Sequence, residues 1–172
     1  MTGELDQHYM RLAINLARKA EGQTSPNPIV GAVVIKSGKV VAGGYHKKAG
    51  LPHAEIVALR KAGSKARGAD LYVNLEPCCH YGRTPPCTEA IITAGIKRVV
   101  IGIRDPNHLV SGKGMRFLRK KGIEVVTGIL KRDCEKLNES FLKYISTGRP
   151  WVILKSALSL DGKIATRTGN SK

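Results

Sequence analysis

The sequence predicts an α/β domain in which helices cover both faces of a mixed, mostly parallel sheet. Continuous apolar runs such as RVVIGI (98–103) alternate with blocks whose apolar residues recur every three or four positions, the pattern of strands separated by single helices. Ser37-Gly38 joins two apolar runs and so supplies an antiparallel edge. The chain has 172 residues, 42% of them hydrophobic, which suffices for one core but not for two full domains.

Residues 5–20 repeat Tyr9, Leu12, Ala13, Leu16, Ala17 and Ala20 on one stripe, as in a helix that buries one face. VGAVVIK (30–36) and KVVAGGY (39–45) form the predicted hairpin. Residues 53–62 read as a helix, 70–75 (DLYVNL) as a strand and 88–94 as a short helix stopped by Gly95. After the strand at 98–103 come a helix at 114–121, a strand at 124–127 and a single helix over about 131–146, with a stripe of Cys134, Leu137, Phe141, Tyr144 and Ile145. Thr147-Gly148-Arg149-Pro150 then breaks the alternation, and WVILKSALSLDGKIA (151–165) reads as a fresh strand and polar turn. The expected division is one domain over 1–147 and the truncated start of a second over 148–172.

There is no run of 18 apolar residues, and MTGELDQHYMRL carries acids where a secretory or transit signal needs basic or apolar residues. A soluble, cytoplasmic protein without a membrane partner is expected. The 29 Lys and Arg against 13 Asp and Glu give +16, which raises a nucleic-acid reading. That charge is dispersed, with +5 over 1–96, +11 over 97–172 and no polybasic run longer than three. Basic residues interrupt helical patterns, as in RFLRKKG (116–122), so solvated faces account for the excess. No nucleic-acid partner is expected, although the surplus suits an anionic small molecule.

Cys78, Cys79 and Cys87 lie within ten residues of one another, and in an intracellular chain such a cluster points to metal before disulfides. His53-Ala54-Glu55 stands upstream, with Pro77 22 residues after Glu55. One imidazole and two thiolates, from His53, Cys78 and Cys87, suit tetrahedral Zn²⁺ and leave a fourth position for water, as catalytic zinc requires. Singly, a His at a helix start is an ordinary hydrogen-bonding residue and a Cys is ordinary packing. Jointly they make the pattern of the zinc-dependent nucleobase deaminases. Glu55 is rotated roughly 200° from His53 on a helix, so it is not an equivalent ligand and is placed to move protons beside the metal. A carboxylate also suits a helix N-terminus, which explains an acid there but not its adjacency to a ligand. Cys79 and Cys134 read as packing, with Cys79 as an exchanged ligand left open.

The run EPCCHYGRTPPC (76–87), preceded by PNPIVG (26–31), Gly44-Tyr45-His46, Ala49-Gly50 and His53-Ala54-Glu55, resembles the deaminase half of the bifunctional riboflavin-biosynthesis deaminase/reductases. Eight residues separate Cys78 from Cys87, whereas most cytidine and transfer-RNA adenosine deaminases have two in that place. The resemblance spans roughly 5–147, includes Asp105-Pro106-Asn107, and extends to the first reductase strand through SLDGK (159–163). It implies a three-layer, cytidine-deaminase-like fold, one zinc on His53, Cys78 and Cys87, and Glu55 as proton shuttle. It further implies that Asn27, His46, His80, Arg83 and Asn107 face the phosphorylated pyrimidine substrate. Ala157 and Ser171 are implied near NADPH and the ribosyl substrate, but only in a full-length parent, and a homodimer or homotetramer is implied as well. The expected reaction is hydrolytic deamination with loss of ammonia; NADPH-dependent reduction belongs to the missing domain. Two rival readings follow from the same residues: a transfer-RNA adenosine deaminase, motivated by the charge, and a non-catalytic zinc-stabilised module closed by Cys79 or His80.

Overall fold

A computed structural model describes residues 2–81, 85–108 and 110–171. Helix α1 (Thr2–Arg18) leads into the hairpin β1 (Gly31–Lys36) and β2 (Lys39–Tyr45). Both turn residues, Ser37 and Gly38, take positive φ (51° and 73°), as two-residue hairpins demand. Helix α2 (Ala54–Ala62) and a 3₁₀ turn (Gly63–Ala66) precede β3 (Asp70–Leu75), α3 (Cys87–Thr93) and β4 (Arg98–Ile103). Then come α4 (Lys113–Lys120), β5 (Glu124–Thr127), α5 (Lys131–Leu137) and α6 (Glu139–Thr147).

The sheet runs β2-β1-β3-β4-β5. Strand β1 is antiparallel to both neighbours, while β3, β4 and β5 are parallel, so β1 alone runs against the other four. Helices α1 and α5 pack on one face and α2, α3 and α4 cover the other, giving three layers. Strands β3 and β4 carry almost wholly buried side chains, which is why they read as continuous apolar runs. Helix α2 approaches β2 so closely that a Cβ on Gly44 would lie 2.7 Å from the Ala54 carbonyl oxygen and the Ala58 nitrogen. That contact sets the height of α2, and hence of His53, over the sheet.

Two expectations fail. The helix expected over 131–146 is broken at Asn138 (φ −112°, ψ 18°), because the Asn138 side chain is drawn into the backbone of Ile29. Within α6, Tyr144 is exposed instead of buried on a stripe. The strand expected after Pro150 is also absent: 151–158 take no regular structure, and Val152, Ile153 and Leu154 are 79–90% exposed. Their composition is β-prone, but a strand exists only with a ladder partner, and no sheet edge accompanies this segment. No helix among the described residues is long and apolar enough to cross a membrane.

Candidate active site

The site lies beyond the carboxyl ends of β3 and β4, where open α/β sheets place their ligands. Each donor comes from an element boundary. His53 is the extended residue before α2 (φ −67°, ψ 160°), its carbonyl accepting the first helical bond from the Val57 N–H. Cys78 follows β3 by three residues, held through its carbonyl by the Thr88 N–H. Cys87 opens α3 immediately after Pro85-Pro86, residues that hold the chain extended and leave the first turn free to start. The Cys87 N–H, at that helix N-terminus, donates to Cys78 Sγ at 3.3 Å.

The donor atoms of His53, Cys78 and Cys87 all lie within 4.8 Å of one another. His53 Nδ1 is 3.2 Å from Cys87 Sγ and 3.6 Å from Cys78 Sγ. A tetrahedral zinc needs about 3.5 Å between nitrogen and sulfur donors, so the set fits that ion in distance and in softness. Cys79, half-buried, is outside this cluster, and Cys134 is buried in the core under α5.

Protons are distributed unevenly across the three groups. The bond from Cys87, with His53 adding to it against the cost of burial, lowers Cys78 to about 4. Giving its proton to Cys78, and being buried, pushes Cys87 well above the ordinary thiol range. The bond to Cys78 raises His53 despite burial. Metal binding would displace these protons, as thiolate and neutral imidazole ligation requires.

Glu55 is 3% exposed and lines the same cleft as His53 and Cys78, at the edge of the donor set. Burial, assisted by the Cys78 charge and partly opposed by His53, raises its carboxyl to about 7. A carboxyl with that value exchanges protons freely near neutrality.

A cleft of about 620 Å³ opens over these groups, with Asn27, His46, His80 and Asn107 in its lining. The remaining expected substrate residue, Arg83, lies outside the described residues. Both ring nitrogens of His46 are engaged within the protein. Its Nδ1 faces the Pro52 carbonyl at 3.2 Å and its Nε2 faces Asn27 Nδ2 at 3.0 Å, so Nδ1–H donates and Nε2 accepts in a neutral ring that orients Asn27. Burial, with the His53 charge and against the Pro52 bond, lowers its pKa accordingly. His80 Nδ1 is buried without a hydrogen-bond partner among the described residues. The Asn107 N–H donates to Asp105 Oδ1 at 2.8 Å, a tight turn that fixes the loop. Ala157 and Ser171 are exposed and do not line the cleft.

Sequence reasoning missed Glu76, Asp105 and the α6 wall. Glu76 accepts from the N–H groups of Gly112 (2.9 Å), Met115 (3.2 Å) and Asp105 (3.3 Å), tying the Cys78 loop to α4. Burial raises Asp105 to about 6, with the Asn107 bond opposing and the Glu76 and Cys78 charges adding. A signal was available: both acids precede prolines just after adjacent parallel strands. Phe141, Tyr144 and Ile145 of α6 form the apolar side of the cleft.

A buried proton-carrying acid beside three soft donors, under a cleft with polar edges, is an arrangement for metal-assisted hydrolysis. The chain belongs to the family defined by the cytidine and deoxycytidylate deaminase zinc-binding region, which matches residues 3–103. It is similar to the riboflavin biosynthesis protein RibD of Aquifex aeolicus, 59% identical over 172 residues that cover 100% of this chain and 48% of that protein. Among solved structures, a diaminohydroxyphosphoribosylaminopyrimidine deaminase/5-amino-6-(5-phosphoribosylamino)uracil reductase from Thermotoga maritima superposes with a TM-score of 0.95 at 50% identity, covering 100% of this chain and 50% of that one. Acinetobacter baumannii RibD gives 0.94 at 51% identity, covering 99% and 48%. The chain thus spans about half the length of these relatives.

Proposed function

We propose that the chain hydrolyses the exocyclic amine of 2,5-diamino-6-(5-phosphoribosylamino)pyrimidin-4(3H)-one. The products are 5-amino-6-(5-phosphoribosylamino)uracil and ammonia, a step of riboflavin biosynthesis. The observation that carries this reading is Glu55, a buried carboxyl that lines the cleft together with His53 and Cys78 and stands beside the His53, Cys78 and Cys87 donors. The similarity to RibD proteins supports the choice of substrate.

His53, Cys78 and Cys87 would hold one zinc ion, and bound zinc makes water a competent nucleophile near neutral pH. Glu55 takes one proton from water and passes it to a ring nitrogen, then takes the second from the hydroxyl left on the ring carbon and passes it to the departing amine. Water's oxygen stays as the carbonyl and ammonia leaves. Asn27, oriented by His46, and Asn107 address the polar edges of the pyrimidine, as does His80 with its unpartnered Nδ1. Arg83 is assigned to the phosphate by charge.

In a longer protein, residues 1–147 are the deaminase and 148–172 open a reductase domain. Ala157 there faces NADPH and Ser171 the ribosyl substrate. The protein works in the cytoplasm as a dimer or tetramer, with no membrane or nucleic-acid partner. Incubation with the diaminopyrimidine ribosylamine phosphate should release ammonia in a chelator-sensitive way and consume no NADPH. Inosine formation on transfer RNA in its place, or zinc retention with no deamination of either substrate, would overturn the proposal.

A further inference from the structure

We propose that Asn138 is a positioning residue that sets the shape of the substrate cleft by clamping the 26–30 loop to the start of α6, an inference resting on the deaminase reading above. An Asn before a helix ordinarily bonds an N–H of its own first turn. Asn138 makes no such cap. Its amide instead pairs with both backbone groups of Ile29, 109 residues away: Ile29 N–H donates to Oδ1 at 2.8 Å, and Nδ2 donates to the Ile29 carbonyl at 3.0 Å. The side chain thus stands in for a neighbouring strand.

Asn74 of β3 completes the clamp. Its Nδ2 donates to the same Ile29 carbonyl at 2.9 Å, and its Oδ1 accepts from the Gly31 N–H at 2.8 Å. Both asparagines are buried, at 1% and 0% exposure, so breaking these bonds leaves polar groups without water. The clamped segment directly follows Pro26, Asn27 and Pro28, which line one side of the cleft. One turn beyond Asn138, α6 presents Phe141, Tyr144 and Ile145 to the same cleft. Asn138 therefore couples two walls that are remote in sequence. The donor set and Glu55 come from α2, the end of β3 and α3, and none of them is bonded to Asn138. Loosening the clamp should weaken substrate binding while leaving metal and chemistry in place.

The test compares Asn138→Ala and Asn138→Asp with the wild type and with Leu118→Ala, a core truncation on α4. Asp keeps the acceptor for Ile29 N–H but sets a carboxylate against the Ile29 carbonyl. Both Asn138 variants should keep wild-type zinc content and raise KM for the diaminopyrimidine ribosylamine phosphate by about tenfold, the scale of one lost hydrogen bond. Their kcat per bound zinc should stay within about threefold. Amide hydrogen exchange should quicken at 29–31 and not at 54–62. Leu118→Ala should lower the melting temperature without moving KM. Unchanged KM in both Asn138 variants, an equal KM rise in Leu118→Ala, or unchanged exchange at Ile29 would overturn the proposal. Absence of wild-type turnover would instead sink the deaminase reading, with exchange at Ile29 still deciding the clamp.

Discussion

Strands β3 and β4 meet buried acids at both ends, and Asp6 at one end and Glu55 at the other are treated in opposite ways. At the amino end, Arg98 grips Asp6 of α1 with two bonds, at 3.0 and 2.7 Å, and Tyr72 donates a third at 2.6 Å. Burial works against it, yet the Arg98 and Tyr72 bonds hold the Asp6 carboxyl below its ordinary range. Asp70 beside it is raised by burial, which Lys97 and Arg98 offset only in part. At the carboxyl end burial dominates: Glu55 rises to about 7 and Asp105 to about 6. A charge met by a bidentate partner holds the fold together. A charge left largely unmet is a proton carrier, and its cost to stability is the expected signature of a working site.

The largest effect should come from removing a donor. Cys87→Ser should strip the zinc and bring ammonia release to background, read by metal analysis and assay on one preparation; retained zinc and turnover would place the ligand elsewhere, with Cys79 the nearest candidate.

Glu55→Gln separates metal from chemistry: zinc content should be unchanged and kcat should fall on the order of 10³-fold. The same variant sharpens the contrast in buried charge. In the metal-free protein the folded state keeps the Glu55 proton up to about 7, whereas the unfolded chain releases it near the ordinary carboxyl value of 4.5. Stability therefore declines as pH rises through that window, by about 3 kcal/mol for the group alone. Urea midpoints at about pH 5 and about pH 8 should show that decline in the wild type and lose its Glu55 share in the variant. An identical pH dependence in both would remove Glu55 from the proton account.

At the amino end the sign reverses. The Asp6 pair contributes fully above the unfolded value of 3.8 and is lost as pH falls through the lower folded value. Asp6→Asn should cost about 2 kcal/mol, less than a fully orphaned charge because Arg98 keeps Asp70 and Glu124. Denaturant melts would measure this, and kcat should not move; a changed kcat would mean the two ends are coupled.

Much of this was legible in the sequence because its causes are local. The strands at 98–103 and 124–127 stand where their apolar runs place them. His53, Cys78 and Cys87 converge because each sits at a helix start or strand end that short-range spacing already marks. What stayed hidden depends on distant partners. The periodicity of 131–146 runs straight through Asn138, whose reason for breaking the helix is Ile29. The orienting role of His46 was hidden too, because both its nitrogens are committed to Pro52 and Asn27, a fact of tertiary packing. The segment after Pro150 has strand composition without a strand beside it, so propensity alone misled.

Zinc-edge X-ray absorption on the zinc-loaded protein is the most direct test of an open, three-donor metal site. One imidazole nitrogen, two sulfurs and one further light atom that exchanges with added ligand are predicted. A closed shell of four side chains, with a third sulfur or a second imidazole in place of that exchangeable atom, would contradict it.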